Sequence, residues 1–342
     1  LVSSAEHIGT VGVSEVLSAV PDALRLYAQV RAHLTADRPD VVLVIGNDLF
    51  NTVLARWLRR RAIPVVSLFP PQVWLWRPFV PVFARSFDLV LTSFPEEETR
   101  YRRAGVDTRF VGHYLADELA PVTPDLRAAA RSALGLSGSA VVLGVLPGSR
   151  RHEIARHLPG ILDAIGRLRV SHPDLEVVLA AVPARRAEID AHLASHPSLG
   201  VRIVEDGHAV LRASNVVACC SGTATLAASL LEVPHVIVYR MSVLTGLAAY
   251  LSIAVRLLPN DTIGLPNLLL GRNAVREVKQ FGLSGRRLHD ALCRLLDDAA
   301  ARSTLAGTLA RIRPLVTAPG AIARVCDAVC ELAAPQSARR AS

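Results

Sequence analysis

Short runs of β-branched and apolar residues recur along this chain, separated by helix-patterned segments, and that alternation restricts its fold more than any other feature. Val41–Ile45, Val65–Leu68, Leu89–Ser93 and Arg109–Val111 read as strands in the first part. Val141–Leu146, Glu176–Ala180, Val201–Val204, Val216–Cys220 and His235–Tyr239 do so in the second. Thr52–Arg61, Glu96–Ala104, Ala155–Ser171, Arg185–Ser195 and Ala224–Leu231 carry helical spacing between them. A strand, a crossover helix and a further strand put helices on the sheet faces, so parallel sheets covered on both sides follow. The segment Pro121–Ser139, with Pro121, Pro124 and Gly138, separates the two series. It predicts a first domain over 1–125 and a second over 126–320. A C-terminal helix, Val325–Ala333, and a disordered tail from Pro335 occupy 321–342.

At 342 residues the chain has room for two ordinary domains. It is 51% hydrophobic, yet no uninterrupted apolar run reaches the ~20 residues of a membrane-spanning helix. The nearest, Met241–Val255, lies between Arg240 and Arg256 and contains Ser242, Thr245, Gly246 and Ser252, so it reads as a core or interfacial helix. The chain starts at Leu1 with no charged-then-apolar leader, and the missing Met predicts a truncated N-terminus. Its net charge of +8 is almost all arginine, Lys279 being the only lysine. Such a skew reflects base composition, so it does not argue for a nucleic-acid partner. Clusters at Arg59–Arg61, Arg102–Arg103 and Arg185–Arg186 suit an anionic surface or a solvated face equally. Aromatics, at 5%, are not interleaved with them, against a base-stacking platform. Cys219, Cys220, Cys293, Cys326 and Cys330 lack zinc-ligand spacing, and their odd number fits a reducing compartment.

Two Rossmann-like halves place a ligand in a central cleft, at the carboxyl ends of the strands. Three groups follow strands in the second half. Pro147-Gly148-Ser149-Arg150 breaks an apolar run and opens a helix; unpaired N–H groups and a guanidinium there suit a phosphate, and an ordinary solvated corner is the plainer reading. Ser221-Gly222-Thr223 is a second such start, where the hydroxyls either cap the helix or meet a diphosphate. Gly264-Leu265-Pro266-Asn267, followed by Glu277 and Gln280, offers an amide suited to a base, sugar or phosphate, or to a turn. In the first half, Trp74, Trp76 and Arg77 beside Pro70-Pro71 form either a rigid packed loop or a wall of an acceptor site. His113 sits near the boundary between halves, where a structural role is the commoner one. Asp-x-Asp, Walker A and Gly-x-Gly-x-x-Gly patterns are absent from the sequence.

Taken in order, these motifs resemble lipid-A-disaccharide synthases, bacterial inverting glycosyltransferases of GT-B fold. The resemblance rests on Val11–Leu17, Pro39-Asp40-Val41, Phe50-Asn51, Pro71–Arg77, Val111-Gly112-His113, Leu146–Arg150 with Glu153, Ser221–Leu226, Tyr239-Arg240-Met241, Leu265–Leu269, Gly271-Arg272, and Glu277 with Gln280. It implies transfer of diacylglucosamine from UDP to diacylglucosamine 1-phosphate, without metal or other cofactor, at the cytoplasmic face of the inner membrane. Ser149, Arg150, Ser221, Gly222, Thr223, Asn267, Glu277 and Gln280 would line the UDP-sugar donor. Val16, Leu17, Val20 and Leu24, with Trp74, Trp76, Arg77 and His113, would serve the acceptor and the anionic membrane surface. A homodimer through the C-terminal region is also implied.

The chain departs from the family pattern in three places. The family's Gly-rich opening strand and helix are absent, so about one βαβ unit is missing at the start. The family's first Asp in Ile-Asp-Ala-Pro-Asp-Phe-Asn aligns with Gly46, which leaves Asp48 as the base candidate. A family Glu after Ser-Gly-Thr aligns with Ala227, and Glu232 lies off that helix face. Two further readings therefore stand beside the first: a GT-B transferase with another sugar or lipid acceptor, and a non-catalytic nucleotide- or lipid-binding homologue.

Overall fold

The apolar runs become strands because their side chains are buried on both sheet faces; every residue of Val216–Cys220, for example, is buried. The computed structural model describes residues 13–46, 48–242, 262–280 and 283–334, with backbone alone at 13–19 and 48. The described chain forms two units. One holds residues up to Asp117 and from Val316 onward, the other Glu118–Met241 and Thr262–Leu315.

In the first unit α1 (Val13–Ala36), β1 (Val42–Ile45), α2 (Asp48–Arg59), β2 (Val65–Leu68), α3 (Val80–Ala84), β3 (Leu89–Thr92), α4 (Pro95–Arg103), β4 (Asp107–Phe110) and α5 (Tyr114–Glu118) alternate. The strands form a parallel sheet in sequence order, with Val42 opposite Val65, Val66 opposite Leu89, and Leu89 opposite Asp107. Leu54 and Leu58, one turn apart on α2, pack with Val44, Val65, Phe83, Val90 and Tyr101 against one face.

The second unit contains α6 (Pro124–Ala133), β5 (Val142–Leu146), α7 (Arg151–Ser171), β6 (Glu176–Ala180), α8 (Arg186–Ala194), β7 (Val201–Val204), α9 (Gly207–Ala213), β8 (Val216–Cys220), α10 (Thr223–Leu230), β9 (His235–Tyr239), α11 (Leu265–Leu270), β10 (Glu277–Lys279), α12 (Gly285–Asp297), α13 (Ala299–Leu309) and α14 (Arg313–Val316). Its parallel sheet runs β10-β9-β8-β5-β6-β7. Ile154, Leu158, Ile161, Leu162, Ile165 and Leu168 make one apolar stripe of α7, which packs on the sheet beside Leu288 and Leu292 of α12.

Domain limits drawn from the sequence shift. The expected linker Pro121–Ser139 contains α6, capped by Thr123 Oγ1, which accepts from the Leu126 N–H at 3.2 Å. Arg131 of α6 donates to the Ala213 carbonyl at 3.0 Å and to Asn215 Oδ1 at 2.8 Å, fixing that helix in the second unit. The expected separate C-terminal helix is α15 (Ala321–Ala333), and it belongs to the first unit. Val325, Ala328, Val329 and Leu332 cover Val66, Leu89 and Leu91 on the remaining sheet face, and Arg109 pairs with both Glu331 oxygens at 2.6 and 3.0 Å. A sheet with one bare apolar face needs such a cover, since each large side chain buried there stabilises by about 1.5–3 kcal/mol. The tail from Pro335 and residues 243–255 of the expected interfacial helix lie outside the described residues.

Candidate functional site

From β5 the chain proceeds outward through β6 and β7, then returns to place β8 on the other side of β5. Loops leaving β5 and β8 therefore diverge at a topological switch point, where open α/β sheets bind ligands. Leu146 lies opposite Cys219, so Gly148–Arg150 and Ser221–Thr223 emerge side by side. Gly148 has φ +118°, and a Cβ on it would sit 2.7 Å from the Glu153 carboxylate. Only glycine fits both demands.

Arg150 precedes the first turn of α7 in extended conformation. Glu153, 8% exposed, reaches back: its Oε2 accepts from the Ser149 and Arg150 N–H groups at 3.0 and 3.1 Å, and its Oε1 pairs with Arg150 Nη1 at 3.0 Å. The sequence reading offered those N–H groups to a phosphate, and the structure gives them to Glu153. What the corner presents outward is the half-exposed Arg150 guanidinium beside exposed Ser149. At β8 neither hydroxyl caps α10. Ser221 Oγ donates to the Ile263 carbonyl at 2.9 Å and Thr223 stays exposed, so the first turn of α10 carries no side-chain cap.

Side-chain hydrogen bonds then link the remaining strand ends. Glu277 Oε1 accepts from the Gly264 N–H and from Asn267 Nδ2, both at 2.9 Å, and its Oε2 pairs with Lys279 Nζ at 3.0 Å. Asn267 is buried, with Nδ2 also donating to the Val275 carbonyl and Oδ1 accepting the Val275 N–H, each at 2.8 Å. Its expected role as a direct ligand contact is thus revised: both amide hydrogens are spent holding Glu277 and the α11–β10 turn. Gln280 adopts φ +51° and its Oε1 accepts from the Met241 N–H at 2.6 Å, tying the end of β9 to that of β10. Burial pushes both adjacent thiols, Cys219 and Cys220, upward, and Tyr239 up to about 12, so all three stay protonated and none is a nucleophile at neutral pH. Sequence reasoning quoted Glu153 without a role, named Lys279 only as the sole lysine, and missed His157. The pattern of an acidic residue three positions into a helix is the signal that could have found the first.

The first unit presents a different corner. Gly46, φ +59°, ends β1, and Asn51 of α2 donates from Nδ2 to the carbonyls of Ile45, at 3.3 Å, and Gly46. Asp48 begins α2, its side chain lying outside the described residues, as do those of Val16 and Leu17. Val20 and Leu24, one turn apart on α1, are 42% and 62% exposed. Trp76 packs edge-on against Phe79 and Phe83, Trp74 against Phe94, and Tyr101 donates to the Pro71 carbonyl at 2.8 Å. That is the rigid packed loop of the plainer reading, with Arg77 exposed at its end. His113 is buried among Phe69, Phe94 and Tyr114, and its Nδ1 accepts from the Leu115 N–H at 3.2 Å. Burial lowers its pKa to about 4, so the ring is neutral and structural.

Two parallel-sheet units, with an arginine corner at the switch point of the second, define the GT-B class of glycosyltransferase folds. The fold of UDP-GlcNAc 2-epimerase from Neisseria meningitidis, bound to UDP-GlcNAc, matches with a TM-score of 0.63 over 93% of this chain and 82% of that one, at 13% identity. The lipid-A-disaccharide synthetase family profile matches residues 1–307. Lipid-A-disaccharide synthase of Anaeromyxobacter dehalogenans is 37% identical over 95% of this chain and 84% of its own length. That of Chromohalobacter salexigens is 40% identical over 87% and 76%. The chain belongs to the lipid-A-disaccharide synthetase family.

Proposed function

We propose that this protein joins UDP-2,3-diacylglucosamine to 2,3-diacylglucosamine 1-phosphate, releasing UDP and lipid A disaccharide 1-phosphate. The observation that carries this reading is the Arg150 corner at the switch point, in a chain of this family. A half-exposed guanidinium, fixed on one edge by Glu153, keeps further donors for a diphosphate. Negative charge grows on that diphosphate as the anomeric bond breaks, and Arg150 with the uncapped start of α10 stabilises it. The acceptor 6-hydroxyl attacks the anomeric carbon from the opposite face, inverting it, while the Asp48 carboxylate takes the hydroxyl proton. No step in this reading calls on a metal or other cofactor. Ser149, Ser221, Gly222, Thr223 and Gln280 line the nucleotide, and Asn267 supports it through Glu277.

Val20 and Leu24 on α1, with Leu49 and Val53 exposed on α2, supply an apolar surface for the lipid chains and the inner face of the inner membrane. No described helix is long and apolar enough to cross a membrane, which suits a peripheral attachment. We further propose a homodimer through the C-terminal region, a reading that rests on the resemblance to the family.

The test pairs a thin-layer assay for disaccharide, using both lipid substrates, with UDP titration calorimetry. The wild type forms disaccharide, and Arg150→Ala weakens UDP roughly 10- to 100-fold, the loss of a charge-assisted contact. Unchanged UDP affinity removes Arg150 from the diphosphate; no disaccharide from wild type overturns the reaction.

A further inference from the structure

One fully buried side chain at the switch point takes no part in this account. His157 lies on α7, seven residues after Arg150, with none of its surface exposed. Its Nδ1 is 2.8 Å from the Pro147 carbonyl and its Nε2 is 3.0 Å from the Arg240 backbone nitrogen. A carbonyl can only accept and a backbone N–H can only donate, so the two partners together require the neutral ring with its proton on Nδ1. Pro147 is the base of the Gly148–Arg150 corner. Arg240 follows β9 and precedes Met241, whose N–H is held by Gln280. β5 and β9 are not neighbours, since β8 lies between them. Ladder hydrogen bonds therefore cannot set one loop against the other, and the imidazole spans the gap that the sheet leaves.

We infer that His157 is a positioning residue of the donor site: it locks the Arg150 corner to the Arg240–Met241 segment as a neutral imidazole, and its protonation releases that lock and weakens donor binding. This rests on the donor-site reading above. A proton on Nε2 would set two donors against each other in a site without water access, and the Arg240 N–H would lose its acceptor. Glu153, His152 and Arg156 on its own helix, the Tyr239 ring of β9 (centroids 5.8 Å apart) and the Pro147 carbonyl face or influence the ring. Burial is the largest influence among these and favours the neutral form, consistent with a lock that is closed at neutral pH and opens in acid.

The test is UDP titration calorimetry from about pH 5 to about pH 8, spanning the range in which a histidine titrates, on the full chain and on His157→Gln and His157→Leu. Amide hydrogen exchange of Arg240 is followed in the absence of ligand. UDP itself gains a proton over this range, so the informative quantity is the difference between each variant and wild type. His157→Leu is expected to bind UDP roughly tenfold more weakly at the alkaline end and to lose Arg240 protection. His157→Gln places an amide oxygen near the position of Nε2. It restores Arg240 protection and most of the affinity, and lacks the extra acid loss of wild type. A Leu variant that matches wild type in affinity or in Arg240 protection overturns the inference. If that variant does not fold, a Gln variant with the wild-type acid limb overturns it instead. A wild type that keeps Arg240 protected but binds no UDP at any pH defeats the donor-site reading itself.

Discussion

The β1–α2 corner of the first unit and the β5–α7 corner of the second each pass from a strand through a glycine with positive φ into a helix, and they end with opposite polarity. At Gly148 the loop gathers N–H groups and a guanidinium around the Glu153 carboxylate. At Gly46 the loop gathers carbonyls around the Asn51 amide. A departing diphosphate needs donors and positive charge, whereas an attacking hydroxyl needs an acceptor for its proton. In the proposed reaction the two corners would serve these two needs, and in each the side chain five positions after the glycine decides which backbone groups the loop gathers.

The largest effect that could break this division of labour is at Asp48. Asp48→Asn is expected to lower turnover by roughly 10²- to 10⁴-fold, the range for removing a positioned general base, with UDP affinity unchanged. Steady-state assay and calorimetry on the same preparation check both halves. Undiminished turnover would leave the first corner without a base and end the comparison as a functional one.

Acid should weaken both units through buried histidines, and two besides His157 carry the effect. His113 in the first and His235 in the second have pKa values lowered by burial from 6.5 to about 4. His235 Nδ1 donates to the Val233 carbonyl at 2.9 Å, and its buried Nε2 has no partner among the described residues. The unfolded chain binds these protons first, so the stability these rings contribute is complete above about pH 6.5. It is lost as pH falls from there through about 4. A difference of that size is worth about 3 kcal/mol for each ring, as an upper bound. Urea unfolding of wild type and His235→Asn at pH values on either side of 6.5 should show a shallower acid loss in the variant. Equal losses would remove His235 from the account.

Alternation of strand and helix was legible because parallel strands buried on both faces leave continuous apolar runs, and the order of motifs was legible because Leu146–Arg150 and Ser221–Thr223 directly follow such runs. The short β10 was not legible. Glu277-Val278-Lys279 buries only Val278 and is stabilised as a strand by pairing with Ile237–Tyr239. Nor did the sequence show that Asn267 turns inward, since its partners Val275 and Glu277 lie eight and ten residues away. His157 was hidden for the same reason: its acceptor role joins it to Arg240, 83 residues on. The return of α15 to the first sheet likewise depends on Glu331 meeting Arg109 across 222 positions.

The smallest effects compare the two corners directly, through one substitution made in each. Gly148→Ala combines a φ of +118° with a Cβ 2.7 Å from the Glu153 carboxylate, so Glu153 must leave the N–H groups it holds. Strain of this kind costs of order 1–3 kcal/mol, and lost charged hydrogen bonds add to it. Gly46→Ala meets nothing among the described residues within 4 Å and sits at φ +59°. Its left-handed strain of roughly 1–2 kcal/mol is partly offset by about 0.4–1 kcal/mol from the stiffer unfolded chain. Thermal unfolding should therefore separate the two variants clearly, with Gly46→Ala close to wild type. Gly46→Asp should be tolerated as well, because Asp accepts the left-handed region more readily than other side chains. It places a carboxylate at the position that the resemblance read from the sequence aligns with an aspartate. Higher turnover in Gly46→Asp would show that the first corner is limited by its missing base, and unchanged turnover would show that Asp48 already supplies it.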